Sequence, residues 1–293
     1  PGFEVLTSSQ RMLFIRDLLT ALLTQSARAV RNEQRQSGFK VHNTELTFGF
    51  PGKPHNLPAI QLDLPDQQSV LVRGRIDRLD TVTTGDQGGF VVVDYKSSTH
   101  SFSAEDAYYG LGMQMLTYID AVLRGYEPRL APAAGVFMHL QNPRLKYSRD
   151  KQKSLAAAFK MDGLLVNGPG IATLDTAVTP DQPGTSDIFP IRFLKSGQLG
   201  KNAKTVTPEQ LLDLIHHNEA LIVAAAQAIL AGHMELAPAR TDQKATVITM
   251  SDYSAIMQFD PTLRDNQYRQ LTPLSLEAVL AKIAQERSNN QEG

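Results

Sequence analysis

Apolar and polar residues alternate with period two around Gly74. Val70, Val72, Gly74 and Ile76 fall on one face, and Leu71, Arg73, Arg75 and Asp77 on the other, which predicts a strand over Val70 to Asp80. Thr83 to Gly89 has the composition of a loop, and Phe90 to Tyr95 is a β-branched run of the kind found in buried strands, so the two segments are expected to form a hairpin. Val41 to Phe50 and Ile60 to Leu64 read as further strands of the same mixed sheet, and Ala133 to Leu140 as another. Helical spacing appears three times. Ser8 to Arg35 has Met12, Ile15, Leu18, Leu19 and Leu22 on its apolar face. Ser103 to Leu123, capped by Ser103, carries a stripe of Ala107, Leu111, Met115, Tyr118, Ile119 and Val122. Thr207, with Pro208 in the first turn and Gln210 completing a capping box, starts a helix that runs to about Ala231.

These elements predict an α/β fold in which helices flank a mixed central β-sheet, with residues 1–293 forming a single domain. Its core spans about 8–140, an insertion about 141–206 and a C-terminal helical part about 207–293. The stretch 142–205 is rich in Gly and Pro and reads as mostly loop, with a short helix near Leu155; an insertion of this kind is mobile or closes over a substrate.

Composition narrows the function classes. With 293 residues and 42% hydrophobic content the chain can bury a sizeable core. It has no cysteine, which excludes disulfides and thiolate metal sites and agrees with a reducing cytoplasm, the expected location. The longest apolar stretch, Ala220 to Ala231, is too short to cross a bilayer and no signal peptide is evident, so no membrane partner is expected. The 29 basic residues are balanced by 30 acidic ones, so no global field draws in nucleic acid. Local clusters must serve instead. Arg144, Lys146, Arg149, Lys151 and Lys153, with Tyr147 as a stacking surface, or Lys195, Lys201 and Lys204, could line a strand channel, or could simply be solvated loops. Gly85 to Gly89 has no following Lys-Ser/Thr, so ATP binding is not expected.

The candidate chemistry sits on the predicted hairpin. Asp94 and Lys96 are two apart, so in an extended chain their side chains leave on the same face. If Asp77 lies on the neighbouring strand, two carboxylates and an ammonium meet at one point. Asp77 and Asp94, with the Tyr95 backbone carbonyl, supply the hard oxygens that Mg²⁺ or Mn²⁺ accepts. The metal would lower the pKa of a water and neutralise charge on a phosphate, and Lys96 would orient that water or stabilise the pentacovalent oxyanion. The plainer alternative has Asp77 paired with Arg75 or Arg78, and Asp94 with Lys96 as an ordinary ion pair. Gln114 and Tyr118 are four apart and share a helical face, where they could hold a substrate strand or a water, or simply pack. His42, His216 and His217 read as surface residues; the last two, adjacent on a helix, cannot easily join one metal.

Taken together, Gly74-Arg75-Ile76-Asp77-Arg78-Leu79-Asp80, Val93-Asp94-Tyr95-Lys96-Ser97 and Gly110-Leu111 with Gln114 and Tyr118 resemble the RecB-like branch of the PD-(D/E)xK nucleases, with its restriction-endonuclease-like core. Within it, the chain is most similar to the C-terminal region of the AddB/RexB family, the B-type component of the bacterial ATP-dependent helicase/nuclease. Glu45 to Gly49 resembles that family's strand ahead of the Asp motif, and Gln258-Phe259-Asp260-Pro261 and Asn266 to Arg269 its C-terminal tail. The resemblance implies a Mg²⁺-dependent deoxyribonuclease with Asp77, Asp94, Lys96, Gln114 and Tyr118 in the catalytic set. Glu45 would be an outer ligand through water or a partner that orients Lys96. The implied substrate is single-stranded DNA, the 5′-ended strand of a double-strand break, and the implied partner is the helicase-nuclease component of the AddA/RexA type. Many members hold an iron–sulfur cluster on four cysteines. The three C-terminal positions here are Ile248, Ser251 and Met257, so no cluster is expected, and packing of Ile248, Tyr253, Ile256, Met257 and Phe259 is expected to hold the segment instead. The upstream histidine of many relatives has no counterpart before Arg35. The chain begins with Pro1 and not Met, so it reads as an excised piece whose missing part holds that ligand. A catalytically impaired DNA- or partner-docking domain is the rival expectation.

Overall fold

Phe90, Val91, Val92 and Val93 are all fully buried, so the strand that carries them is covered on both faces, as a central strand is. The computed structural model describes residues 4–84, 87–98, 100–126, 129–140, 158–200, 204–240, 251–264 and 266–291. Two compact units are present, one made of Pro1–Ile60, Leu71–Phe102 and Gln114–Leu212, the other of Gln61–Val70, Ser103–Met113 and Asp213–Gly293.

Along the chain the strands are β1 (Lys40–Phe48), β2 (Asn56–Leu57), β3 (Ile60–Asp63), β4 (Ser69–Val72), β5 (Gly74–Thr84), β6 (Gln87–Lys96), β7 (Ala131–His139), β8 (Asp162–Val166), β9 (Gly184–Thr185), β10 (Arg192–Phe193) and β11 (Thr205–Val206). The first unit is built on a seven-stranded sheet in the order β11-β8-β7-β6-β5-β1-β2. Its pairs are antiparallel at β1–β5, β5–β6 and β7–β8, and parallel at β6–β7, β8–β11 and β1–β2. The expected mixed sheet is therefore present, with corrections. The predicted strand from Val70 is interrupted at Arg73, and β3 and β4 pair with each other instead of joining the central sheet. The β5–β6 strands reach to Thr84 and from Gln87, so most of the predicted Thr83 to Gly89 loop is strand. Part of the predicted insertion is core: β8 extends the sheet, and Phe159, Met161, Phe189 and Ile191 pack in one cluster with Val91 and Val93. The short apolar run Leu164 to Val166, fully buried, is what carries β8 into the sheet. The helix expected near Leu155 lies outside the described residues.

Helix α1 (Gln10–Gln36) is capped by Ser9, one residue after the expected start, whose hydroxyl accepts the Met12 N–H. Its predicted apolar face is only half-covered, with Met12, Ile15 and Leu22 half-buried. Leu18 and Leu19 are exposed, and the residues it buries are Ser26 and Glu33. The C-terminal half instead packs Ala29 and Val30 against the core that holds Val91 and Val93. The single helix predicted over Ser103 to Leu123 is two: α2 (Ala104–Tyr108) and α3 (Gln114–Gly125). The break contains Gly110 at φ +78°, a left-handed conformation that glycine adopts without steric cost and a helix cannot accommodate. Ser103 caps α2 as expected, accepting the Asp106 N–H. On α3, Met115, Leu116, Ile119 and Val122 are buried. Gly135 of β7 makes room for this helix, since a Cβ there would lie 2.7 Å from Met115 Sδ.

The Pro208–Leu230 helix starts with the predicted capping box: Thr207 N–H donates to Gln210 Oε1 (2.9 Å) and Gln210 N–H to Thr207 Oγ1 (3.2 Å). In the second unit, His216 is exposed, but His217 is not a surface residue. Its ring stacks on Tyr108 at 4.8 Å, and the Tyr108 hydroxyl donates to Glu286 (2.7 Å) on the Leu276–Gln291 helix. Among the described residues the expected apolar packing of the C-terminal segment is not found. Tyr253 and Ile256 are exposed because the Ser254–Met257 helix is a single turn that buries nothing, and Phe259 packs on Tyr268 (4.7 Å). Ile248 lies outside the described residues. Among the described residues no helix is long and apolar enough to cross a membrane.

Candidate active site

The β5–β6 ladder runs from Thr84↔Gln87 to Arg78↔Val93. Beyond that pair the strands part, and the Tyr95 N–H donates to a side chain, Asp77 Oδ2, at 2.9 Å. That bond brings Asp77 of β5 to the end of β6. Asp94 and Lys96, alternate residues of β6, share the face that α3 covers. Lys96 Nζ lies 2.8 Å from Asp94 Oδ2 and donates to Gln114 Oε1 at 2.7 Å. The Gln114 amide nitrogen donates to Asp94 Oδ1 (3.1 Å) and to the Tyr118 hydroxyl (2.8 Å). Asp94, Lys96, Gln114 and Tyr118 thus form one connected cluster, with Asp77 joined to it through the β6 backbone. Of the plainer alternative one half is present, the Asp94–Lys96 ion pair; the other half, Asp77 with Arg75 or Arg78, is not, since Arg75 pairs with Glu45 and Arg78 with Glu33 and Asp80.

Electrostatics distinguish the members. Burial pushes the Asp94 carboxyl above the ordinary carboxylate value, opposed by the Lys96 ammonium and reinforced by the negative charge of Asp77. Tyr118 is raised by burial and by the charges of Asp94 and Asp77, against the hydrogen bond from Gln114. Asp94 Oδ2 is buried, with the Lys96 ammonium 2.8 Å away as its ion-pair partner. A buried carboxylate beside a second carboxylate at a strand end supplies hard oxygens that fit a divalent cation. The candidates to hold one are Asp77, Asp94 and the Tyr95 carbonyl at the strand end. Among the described residues no group of three or more His, Cys, Asp or Glu could hold a metal, so a cation here would complete its shell with water. Glu45 does not meet Lys96. It lies at φ +54° on β1, with its exposed carboxylate 2.6 Å from Arg75 Nη1.

A second ionic cluster, absent from the sequence-based expectations, lies on the opposite face. Arg78, Glu33 and Asp80 are each at most 2% exposed. Arg78 donates to Glu33 Oε2 (2.6 Å), through Nε to Asp80 Oδ1 (2.7 Å), and through Nη1 to the Tyr95 hydroxyl (3.2 Å). Burial works against the Arg78 cation, but Asp80 and Glu33 outweigh it and hold the group firmly protonated. Glu33 is raised by burial, only partly offset by Arg78. One signal was available: Arg78 and Asp80 are alternate strand residues, so they share a face.

Of the expected basic clusters, Arg144 to Lys153, Tyr147 and Lys201 lie outside the described residues. Lys195 is exposed, and Lys204 pairs with Asp162 at 3.0 Å.

The profile of the PD-(D/E)XK nuclease superfamily matches residues 5–243. The chain is 40% identical over 289 residues to the B-type component of the ATP-dependent helicase/deoxyribonuclease of Lacticaseibacillus casei, covering 97% of this chain and 24% of that protein. It is 41% identical over 293 residues to the same component from Lactiplantibacillus plantarum, covering 96% and 24%, and 32% identical over 294 residues to that of Enterococcus faecalis, again 96% and 24%. The chain thus spans about a quarter of the length of these curated relatives. With a profile match over most of its length and an α/β core with a mixed central sheet, the chain belongs to the PD-(D/E)XK nuclease superfamily.

Proposed function

We propose that this chain is a divalent-metal-dependent deoxyribonuclease domain that hydrolyses phosphodiesters of single-stranded DNA. The observation that carries the reading is the meeting of Asp77, the buried Asp94 and Lys96 at the splayed end of β5 and β6. Asp77, Asp94 and the Tyr95 carbonyl would hold Mg²⁺ or Mn²⁺, which supplies charge neutralisation at the scissile phosphate and a lower pKa for the attacking water. Lys96 stands on the same face with its ammonium held by Gln114, where it can orient the attacking water or oppose the charge that builds on the phosphate oxygens. Gln114 locks the orientation of Asp94 and Lys96, and the Tyr118 hydroxyl beside it can position the strand.

The relatives are named as components of an ATP-dependent helicase/deoxyribonuclease. By that likeness the domain acts in the cytoplasm beside a helicase-nuclease partner of the AddA/RexA type. There it cuts single strands released by the motor during processing of double-strand breaks for recombinational repair. With no cysteine, the chain itself supplies no thiolate for an iron–sulfur cluster. A second reading, a catalytically impaired docking domain, is favoured by one observation: Glu45 is engaged by Arg75, which leaves the site two carboxylates.

Calorimetric titration of Mg²⁺ and Mn²⁺ separates the two. Binding that disappears in Asp77→Ala/Asp94→Ala supports the nuclease reading, and equal binding by the wild type and the variant overturns the metal site.

A further inference from the structure

Asp77 and Arg78 are consecutive, and so are Asp94 and Tyr95, so each strand presents a site carboxylate to the face under α3 and the neighbouring residue to the face under α1. The ladder between the strands ends at Arg78↔Val93. At the point where the strands part, two side-chain bonds replace it. On one side the Tyr95 N–H holds Asp77 Oδ2 (2.9 Å); on the other, Arg78 Nη1 holds the Tyr95 hydroxyl (3.2 Å). Arg78 is itself fixed by Glu33 of α1 and by Asp80, inside a fully buried cluster.

A buried ionic triad of this kind is a costly way to stabilise a fold. Each ion loses several kcal/mol of hydration on burial, and well-packed apolar residues of similar volume often do as well or better. Stability is therefore weak ground for the triad, whereas its contact with Tyr95 gives it a directional task. A planar, multiply bonded guanidinium is rigid, and it fixes the Tyr95 ring and with it the peptide whose N–H positions Asp77.

We infer that Tyr95 and Arg78 are positioning residues for the metal site: the buried Glu33–Arg78–Asp80 cluster, acting through the Tyr95 hydroxyl, sets how far β5 and β6 splay and hence how Asp77 faces Asp94. The inference rests on the proposed metal-dependent reading of that site. It gives Glu33, Arg78, Asp80 and the Tyr95 hydroxyl a role behind the ligands, in the manner of partners that orient metal ligands.

Tyr95→Phe tests it, because the substitution removes only the hydroxyl and keeps the ring and the backbone N–H. The readouts are Mg²⁺ affinity by calorimetry, kcat and KM on a single-stranded oligodeoxynucleotide, and the melting temperature of the same samples. The expected result is Mg²⁺ affinity weakened about 10-fold or more, with lower kcat and unchanged KM for DNA. A variant that melts earlier but keeps wild-type Mg²⁺ affinity and kcat would overturn the inference, since a merely structural hydroxyl behaves that way. If Tyr95→Phe does not fold, Glu33→Gln loosens the cluster from its far end, and the same loss of Mg²⁺ affinity is expected there; wild-type affinity overturns the inference. Failure of the underlying reading looks different: the wild type would bind no Mg²⁺ that Asp94→Ala abolishes, and the positioning role would fall with the site.

Discussion

Lys96 donates to Gln114 Oε1 at 2.7 Å, and that bond fixes which way the Gln114 amide faces. An ammonium can only donate, so the amide oxygen turns to Lys96 and the nitrogen is left for Asp94 Oδ1 and the Tyr118 hydroxyl. One neutral side chain thereby reads the charge of both ionic members of the site. Gln114→Ala leaves Asp94 Oδ1 without this donor and Lys96 without this acceptor, so both are free to shift. Cleavage of single-stranded DNA at saturating Mg²⁺ is expected to fall about 10- to 100-fold in kcat, the usual cost of removing a group that orients a ligand. Steady-state kinetics checks this; an unchanged kcat would make Gln114 a packing residue.

Gly74 begins β5 against the ring of Phe48. A Cβ at this position would lie 2.7 Å from Phe48 Cζ, and Phe48 is itself fully buried with its ring edge-on to Tyr118 at 6.1 Å. Gly74→Ala must displace that ring, and overpacking of this kind costs about 1–3 kcal/mol. Both the urea midpoint and kcat are expected to drop, because the displaced ring presses on the residue beside Gln114.

Arg78→Met leaves Glu33 and Asp80 buried without their cation. The expected loss is about 3–5 kcal/mol, and replacing all three members by apolar residues of similar volume should recover most of it. Urea unfolding of the single and triple variants checks both halves. A single variant that loses less than about 1 kcal/mol would mean that the pair of carboxylates relaxes by taking up protons.

What could be read before the structure follows from how local each cue is. Asp77, Asp94 and Lys96 were legible because a strand repeats every two residues and a short hairpin leaves little choice of partner. Gln114 and Tyr118 were legible from helical spacing. The helix that carries them was read too long, because the apolar stripe continues through Leu111 while the chain turns at Gly110. Glu33 lies in the polar C-terminal turns of α1, with no pattern to mark it as buried; only the docking of α1 on the sheet brings it to Arg78. The exposed Leu18 and Leu19 show the same gap from the other side, since periodicity identifies an apolar face but not whether anything covers it.

The raised Asp94 carboxyl gives a pH dependence with a definite sign. Its folded-state pKa lies above the ordinary 3.8, so the native state holds this proton more tightly than the unfolded chain. Without metal, the contribution of Asp94 to stability is greatest below 3.8 and is lost as pH rises through the raised value. Asp94→Asn removes that dependence, so the variant should gain on the wild type between acid and neutral pH in paired urea titrations. Protons also compete with metal, so Mg²⁺ affinity should weaken as pH falls through the raised value. A pH-independent difference between the two proteins would show that Asp94 titrates as an ordinary exposed carboxylate.

The decisive experiment is Mg²⁺-dependent cleavage of a labelled single-stranded oligodeoxynucleotide by the wild type and by Asp94→Ala, purified in parallel and matched by circular dichroism. Cleavage by the wild type that needs Mg²⁺ and disappears in a folded Asp94→Ala is the result expected of a site built on Asp77, Asp94 and Lys96. Cleavage at the wild-type rate in the folded variant would contradict it.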